Sequence, residues 1–185
     1  MGASPELIHV SRARAYIGTY EIKGSKHNPA IIMLIQAAER GTKTNLAWLY
    51  GKKPDGTTNY NDEIAWCGMF LGGVFSQCGL GDKVPKEFFR AKEWAKAGTK
   101  LTKPAYGCVA VLDREGGGHV GIVVGKTKSG KIKLLGGNQS DSVNIMDFEP
   151  SRITAYRWVS GGNEPLAHRY ELPILAAGKV SKNEA

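Results

Sequence analysis

Apolar positions change period midway along the chain, and the two halves predict different elements. Residues 7–17 carry apolar side chains at helical spacing. Asn28-Pro29 then offers an N-cap followed by proline at the first helical position, leading into AIIMLIQAAERG with Gly41 as the expected stop. A polar loop over 45–61 holds Pro54-Asp55-Gly56, a turn signal. An apolar helix is expected over 67–77, ending near Gly79, and a fourth helix from Pro85 to Gly98. Beyond that the period shortens. CVAVLDR, HVGIVVGKT, KIKLLGG, SVNIMDF and TAYRWVS are five β-branched runs separated by Gly, Asp, Ser and Pro. Their short connections predict an antiparallel meander. The expected class is α+β, with N-terminal helices packed on a C-terminal antiparallel sheet of about five strands. The period fades after 160, so residues 1–160 are expected to form the domain and 161–185 an appendage with a flexible end.

Composition narrows this picture without changing it. A chain of 185 residues can bury roughly 70% of its unfolded surface, so it folds without disulfides or structural metal. The net charge of +8 arises from 25 Lys and Arg against 17 Asp and Glu. Such an excess steers a protein toward polyanions or simply keeps it soluble. The basic residues are dispersed and lack interleaved aromatics, so nucleic acid is not the expected partner. Three cysteines without a CxxC pair point to free thiols made in a reducing cytosol. The first residues lack the basic and apolar regions of a secretory signal, and no window nears the roughly 18 apolar residues of a membrane span.

The candidate chemistry lies in three segments. Cys67 follows Asn61-Asp62-Glu63-Ile64-Ala65-Trp66 and opens an apolar helix, where unpaired N–H groups favour a thiolate. His119 opens a strand after Gly116-Gly117-Gly118. Asn138 closes the next strand in Gly136-Gly137-Asn138-Gln139. A turn at 128–130 would set His119 almost opposite Asn138, with β-carbons on the order of 5 Å apart. An Asn carbonyl could then hold one ring nitrogen and leave the other for the thiol. Each residue alone also has a plain structural reading: a small core thiol, a loop-end histidine, a turn asparagine. Of the other thiols, Cys78 lies about 16 Å further along the helix, and Cys108 reads as core. Among the other histidines, His9 is expected on the surface, His27 precedes a cap, and His168 belongs to the tail. No metal or cofactor is implied: there is no HExxH, and Asp113, Glu115 and His119 lack a firm ligand spacing. Glu21 reads either as a charge near a helix end or as the lone acid of a muramidase.

Taken together, Glu21, Gly24, Asn28-Pro29, Trp66-Cys67, His119-Val120-Gly121, Gly137-Asn138-Gln139, Val143 and Tyr156-Arg157-Trp158 resemble the CHAP and NlpC-like cysteine peptidoglycan hydrolases. The similarity is greatest to the single-domain phage and prophage branch, and it spans about residues 15–159. The resemblance implies a papain-like fold with Cys67 as nucleophile, His119 as general base and Asn138 as orienter. Many CHAP enzymes carry Glu two positions before that Asn, where this chain has Gly136, which leaves the polar third member to Asn138 alone or to Asn138 with Gln139. Trp66, Asp62, Gln139 and Glu21 are the expected substrate-side residues. The expected role is that of a monomeric endolysin, made in the host cytoplasm and reaching peptidoglycan with a holin or an injection apparatus. The alternatives are an interbacterial amidase toxin, a muramidase, and an inactive wall-binding module.

Overall fold

The computed structural model describes residues 5–114 and 116–181. Four α-helices precede a six-stranded antiparallel sheet, an α+β arrangement. The helices are α1 (Ile8–Arg14), α2 (Pro29–Thr42), α3 (Ala47–Tyr50) and α4 (Cys67–Gln77). The strands are β1 (Thr99–Leu101), β2 (Val109–Arg114), β3 (Gly117–Lys126), β4 (Ile132–Gly136), β5 (Asn144–Phe148) and β6 (Ile153–Trp158). They lie in the order β1-β6-β2-β3-β4-β5.

Helix starts follow local chemistry. The Asn28 side chain accepts from Ala30 N at 2.9 Å and caps α2 ahead of Pro29. The helix passes the expected stop at Gly41 and ends one residue later, with Lys43 left-handed at φ 56. Gly41 serves packing instead: a β-carbon there would stand 2.1 Å from Ser76 Oγ on α4. Gly72 and Gly73 play the matching role inside α4, where a β-carbon would meet Ala38 and the Leu34 carbonyl of α2. Interior glycines cost a helix about 1 kcal/mol each, and here they let the two helix backbones approach closely.

Sheet residues alternate between two buried faces. Val109, Val111, Val120, Ile122 and Leu135 join the helices in one core with Ile31, Leu34, Phe70 and Phe75. Ala110, Leu112, Val123, Leu134 and Phe148 form the other with Trp158 and Leu172. Thr127 and Lys131 close the β3–β4 hairpin over Gly130, whose φ is 90.

Three expectations give way. The meander holds through β2-β3-β4-β5, but β6 crosses back to pair with β2, and the short β1 adds a sixth strand outside it. Residues 85–98 form turns and a 3₁₀ segment, Ala91–Lys96, in place of a long helix. Phe88 pins this stretch, because its carbonyl accepts from Trp94 Nε1 and sits where a β-carbon of Gly68 would be. The 161–181 segment runs along the sheet. Lys126 N donates to Pro173 O, and Asp147 exchanges backbone hydrogen bonds with Lys179 and Ser181. The expected appendage extends to 185, and its last four residues lie outside the described ones.

His9, expected on the surface, is fully buried against Phe75, with ring centroids 4.8 Å apart. Its Nε2 lies 2.9 Å from the Gly107 carbonyl, and its Nδ1 is buried without a partner. Burial lowers its pKa to about 4. The neutral ring therefore stabilises the fold in full above pH 6.5, the value in an unfolded chain. That contribution, about 3 kcal/mol, is lost progressively as the pH falls from about 6.5 to about 4. Denaturant titrations across this window should show that loss, and His9→Gln, which cannot titrate, should flatten it.

Candidate active site

Cys67 is the first residue of α4 and is only 4% exposed. The helix start rests on the sheet where β3 begins and β4 ends. Gly137 makes this possible: a β-carbon there would stand 2.5 Å from Trp66 and 2.6 Å from Phe70. The backbone N–H groups of Gly68 and Val120 lie near the sulfur and favour its charged form, and Val120 follows His119 directly. Burial pushes the thiol above its ordinary pKa, while the Arg114 charge and these N–H groups pull it down. Burial wins, so the resting group is a thiol.

His119 is 1% exposed and belongs to the opposite face of β3 from Val120. Its ring stacks on Phe148, centroids 5.7 Å apart at 12°. Sulfur and imidazole both lie at the start of β3. Of the two ring nitrogens, Nδ1 is attached nearer the main chain, and Nε2 points to Gln139.

The hydrogen bond expected from Asn138 comes from its neighbour. Gln139 Oε1 stands 3.1 Å from His119 Nε2. The β3–β4 ladder pairs Ile122 with Leu135 and Val123 with Leu134, the register expected from the hairpin turn. The strand ends at Gly136, however, and Asn138 turns left-handed at φ 56. That turn carries Asn138 off the ladder and swings Gln139 back under the ring. The substrate-side role expected for Gln139 also fails, because this side chain is fully buried. The order of donors along a turn, rather than strand register, decides which amide arrives, and strand spacing carries no sign of it.

The remaining expected residues are placed as follows. Asp62 is fully buried and accepts from Ile22 N at 3.0 Å, Asn28 N at 2.8 Å and the His27 ring at 2.9 Å. Burial opposes its charge, but these donors outweigh burial and hold the carboxyl below the ordinary range. Asp62 ties the loop before α2 to the loop before α4, and no oxygen is left over for substrate. Trp66 is buried, and its Nε1 donates to Glu21 Oε2 at 3.4 Å. Glu21 is half-buried near Asp141, and burial and that carboxylate raise its pKa. Both residues support the helix start and the loop that carries Gln139. Glu115, grouped in sequence with Asp113 and His119, lies outside the described residues. Among the described residues no three His, Cys, Asp or Glu side chains gather as a metal site, and no helix is long and apolar enough to cross a membrane.

The arrangement offers a thiol at a helix start and an imidazole held from behind, the parts of nucleophilic amide cleavage. No curated protein and no solved structure matches the chain. One family model does match, that of the CHAP domain, over residues 59–138. That span takes in α4, β2, β3 and β4 and includes Cys67, His119 and Asn138. CHAP domains are cysteine- and histidine-dependent amidohydrolases or peptidases, with peptidoglycan as substrate. Over this segment the chain is similar to the CHAP domain, whose fold is papain-like, and its α+β arrangement agrees with that likeness.

Proposed function

We propose that the protein is an endolysin that cleaves an amide bond of the peptidoglycan stem peptide or cross-link through a thioester on Cys67. The observation that carries this reading is the seat of the Cys67 sulfur. It lies at the start of α4 near the Val120 N–H, one residue from the His119 imidazole, whose Nε2 is held by Gln139.

Cys67 Sγ attacks the amide carbonyl carbon as its proton passes to His119 Nδ1. First-turn N–H groups of α4 stabilise the oxyanion. The C–N bond then breaks, His119 returns the proton to the departing amine, and a thioester remains. Water attacks the thioester while His119 takes its proton, and the thiol leaves with that proton as the acid product is released. Because the resting sulfur is protonated, His119 acts as general base in the attack itself. The excess of basic side chains draws the enzyme toward an anionic wall. In the cell it is held in the host cytoplasm until a holin or injection device admits it to the wall, and it acts there as a monomer.

Cys67→Ala and His119→Ala should each lower the lysis of purified sacculi by at least about 10³-fold, with the circular dichroism of the native fold retained. Full activity in Cys67→Ala would overturn the mechanism. Mass spectrometry of the released fragments should show new amide-derived termini and no new reducing sugar ends. The state of the thiol has its own test. Iodoacetamide labelling of Cys67 should accelerate as the pH rises through and beyond the ordinary thiol range. A rate already maximal in mild acid would reveal a preformed thiolate–imidazolium pair and refute the general-base order of events.

A further inference from the structure

We infer that Gln139 is the positioning residue for His119, that Asn144 locks it in place, and that Gly136 is required to make room for it. The inference rests on the Cys67–His119 reading above and names a third participant that strand register does not supply.

The orientation of the Gln139 amide is dictated by its surroundings. Its Nε2 donates to the Asn144 carbonyl at 2.8 Å, Asn144 Oδ1 at 3.0 Å and the Leu134 carbonyl at 3.3 Å. Turned the other way, Oε1 would face two backbone carbonyls that cannot donate. The oxygen therefore points at His119, and His119 Nε2 must carry the hydrogen of the 3.1 Å bond. A neutral ring with its proton on Nε2 presents Nδ1 as the base.

Asn144 closes the clamp from its other end. Its Nδ2 donates to Gln139 O at 2.7 Å and to Ser142 Oγ at 2.9 Å, and Ser142 Oγ donates to Gln139 O at 3.1 Å. Gln139 N donates to Ser142 O at 3.0 Å. The residue is thus held through both its side chain and its backbone.

Gly136 completes the argument by exclusion. A β-carbon there would lie 2.9 Å from Gln139 Oε1 and 3.4 Å from His119 Nε2. A side chain on residue 136 and the amide of Gln139 compete for one space beside the ring. This chain fills that space from position 139 with a neutral amide. A carboxylate there would raise the imidazole pKa, whereas an amide fixes the ring without adding charge.

Gln139→Ala should lower kcat on the order of 10²-fold with KM unchanged. Long-range ¹H–¹⁵N spectra should show His119 protonated at Nε2 in the wild-type protein and in mixed tautomers in the variant. The double variant Gly136→Glu with Gln139→Ala places a carboxylate in the vacated space. It should recover most of the lost kcat and move the acid limb of the pH profile upward by about one unit. Wild-type kcat in Gln139→Ala alongside an inactive Cys67→Ala would overturn the positioning role and leave the nucleophile in place. A wild-type His119 protonated at Nδ1 would overturn it as well, and activity in Cys67→Ala would overturn both readings.

Discussion

The first turn of α4 has to sit directly on the backbone of the sheet, with no side chain between them where β4 ends. Gly137 meets that constraint, and the site depends on it. Trp66 and Phe70 occupy the volume any β-carbon at 137 would need. With them in place, Cys67 is brought to the Val120 N–H. The same close approach explains why so much of this region is buried and why burial holds the Cys67 thiol above its ordinary pKa even at a helix start. Helix N–H groups lower a thiol pKa, and burial raises it. Here the contact that delivers the sulfur also dries it, and burial prevails.

Buried polar groups hold this contact in place from the edges. Asp62 gathers donors from the Ile22–Asn28 loop and so fixes the approach to α4. Glu21 takes the Trp66 indole, and the backbone of the same segment pairs with the loop after β4 through Glu21 N to Asp141 O and Gly18 N to Val143 O. The loop carrying Gln139 is thereby tied to the N-terminal segment. Further along β4 and β5, Lys133 pairs with Asp147, both nearly fully buried, and Gly178 N gives Asp147 a further donor. A buried ion pair is weak evidence of added stability, yet breaking one partner leaves a costly uncompensated charge.

Much of the fold was legible in sequence because its signals are local. Asn28-Pro29 announced a helix start, the apolar run after Trp66 announced α4, and the turn around Gly130 announced the register of β3 on β4. Features decided by distant contacts were not legible. Three-residue β1 exists only because β6 returns beside it, and nothing in Thr99–Leu101 marks that pairing. The 85–98 stretch has helical spacing, but Phe88 and Trp94 bond to each other and pack under α4 in a geometry that a helix would not allow. His9 reads as a surface histidine until Phe75 and the Gly107 carbonyl are seen around it. Cys67 and His119 could be singled out because chemistry of this kind needs a helix start and a strand start. Asn138 was the reasonable partner on strand register alone. One left-handed residue past the strand end displaced it, and no periodicity encodes such a residue.

The segment after β6 bears on how the protein behaves in bulk. An open sheet edge is a template for another chain. Here β5 is flanked by the parallel bridge between Asp147 and Val180, and β1 at the other margin offers three residues. Neither margin gives a neighbouring molecule a long run of unsatisfied amides to zip onto. Such blunt borders keep copies of the protein from zipping together edge to edge at high concentration.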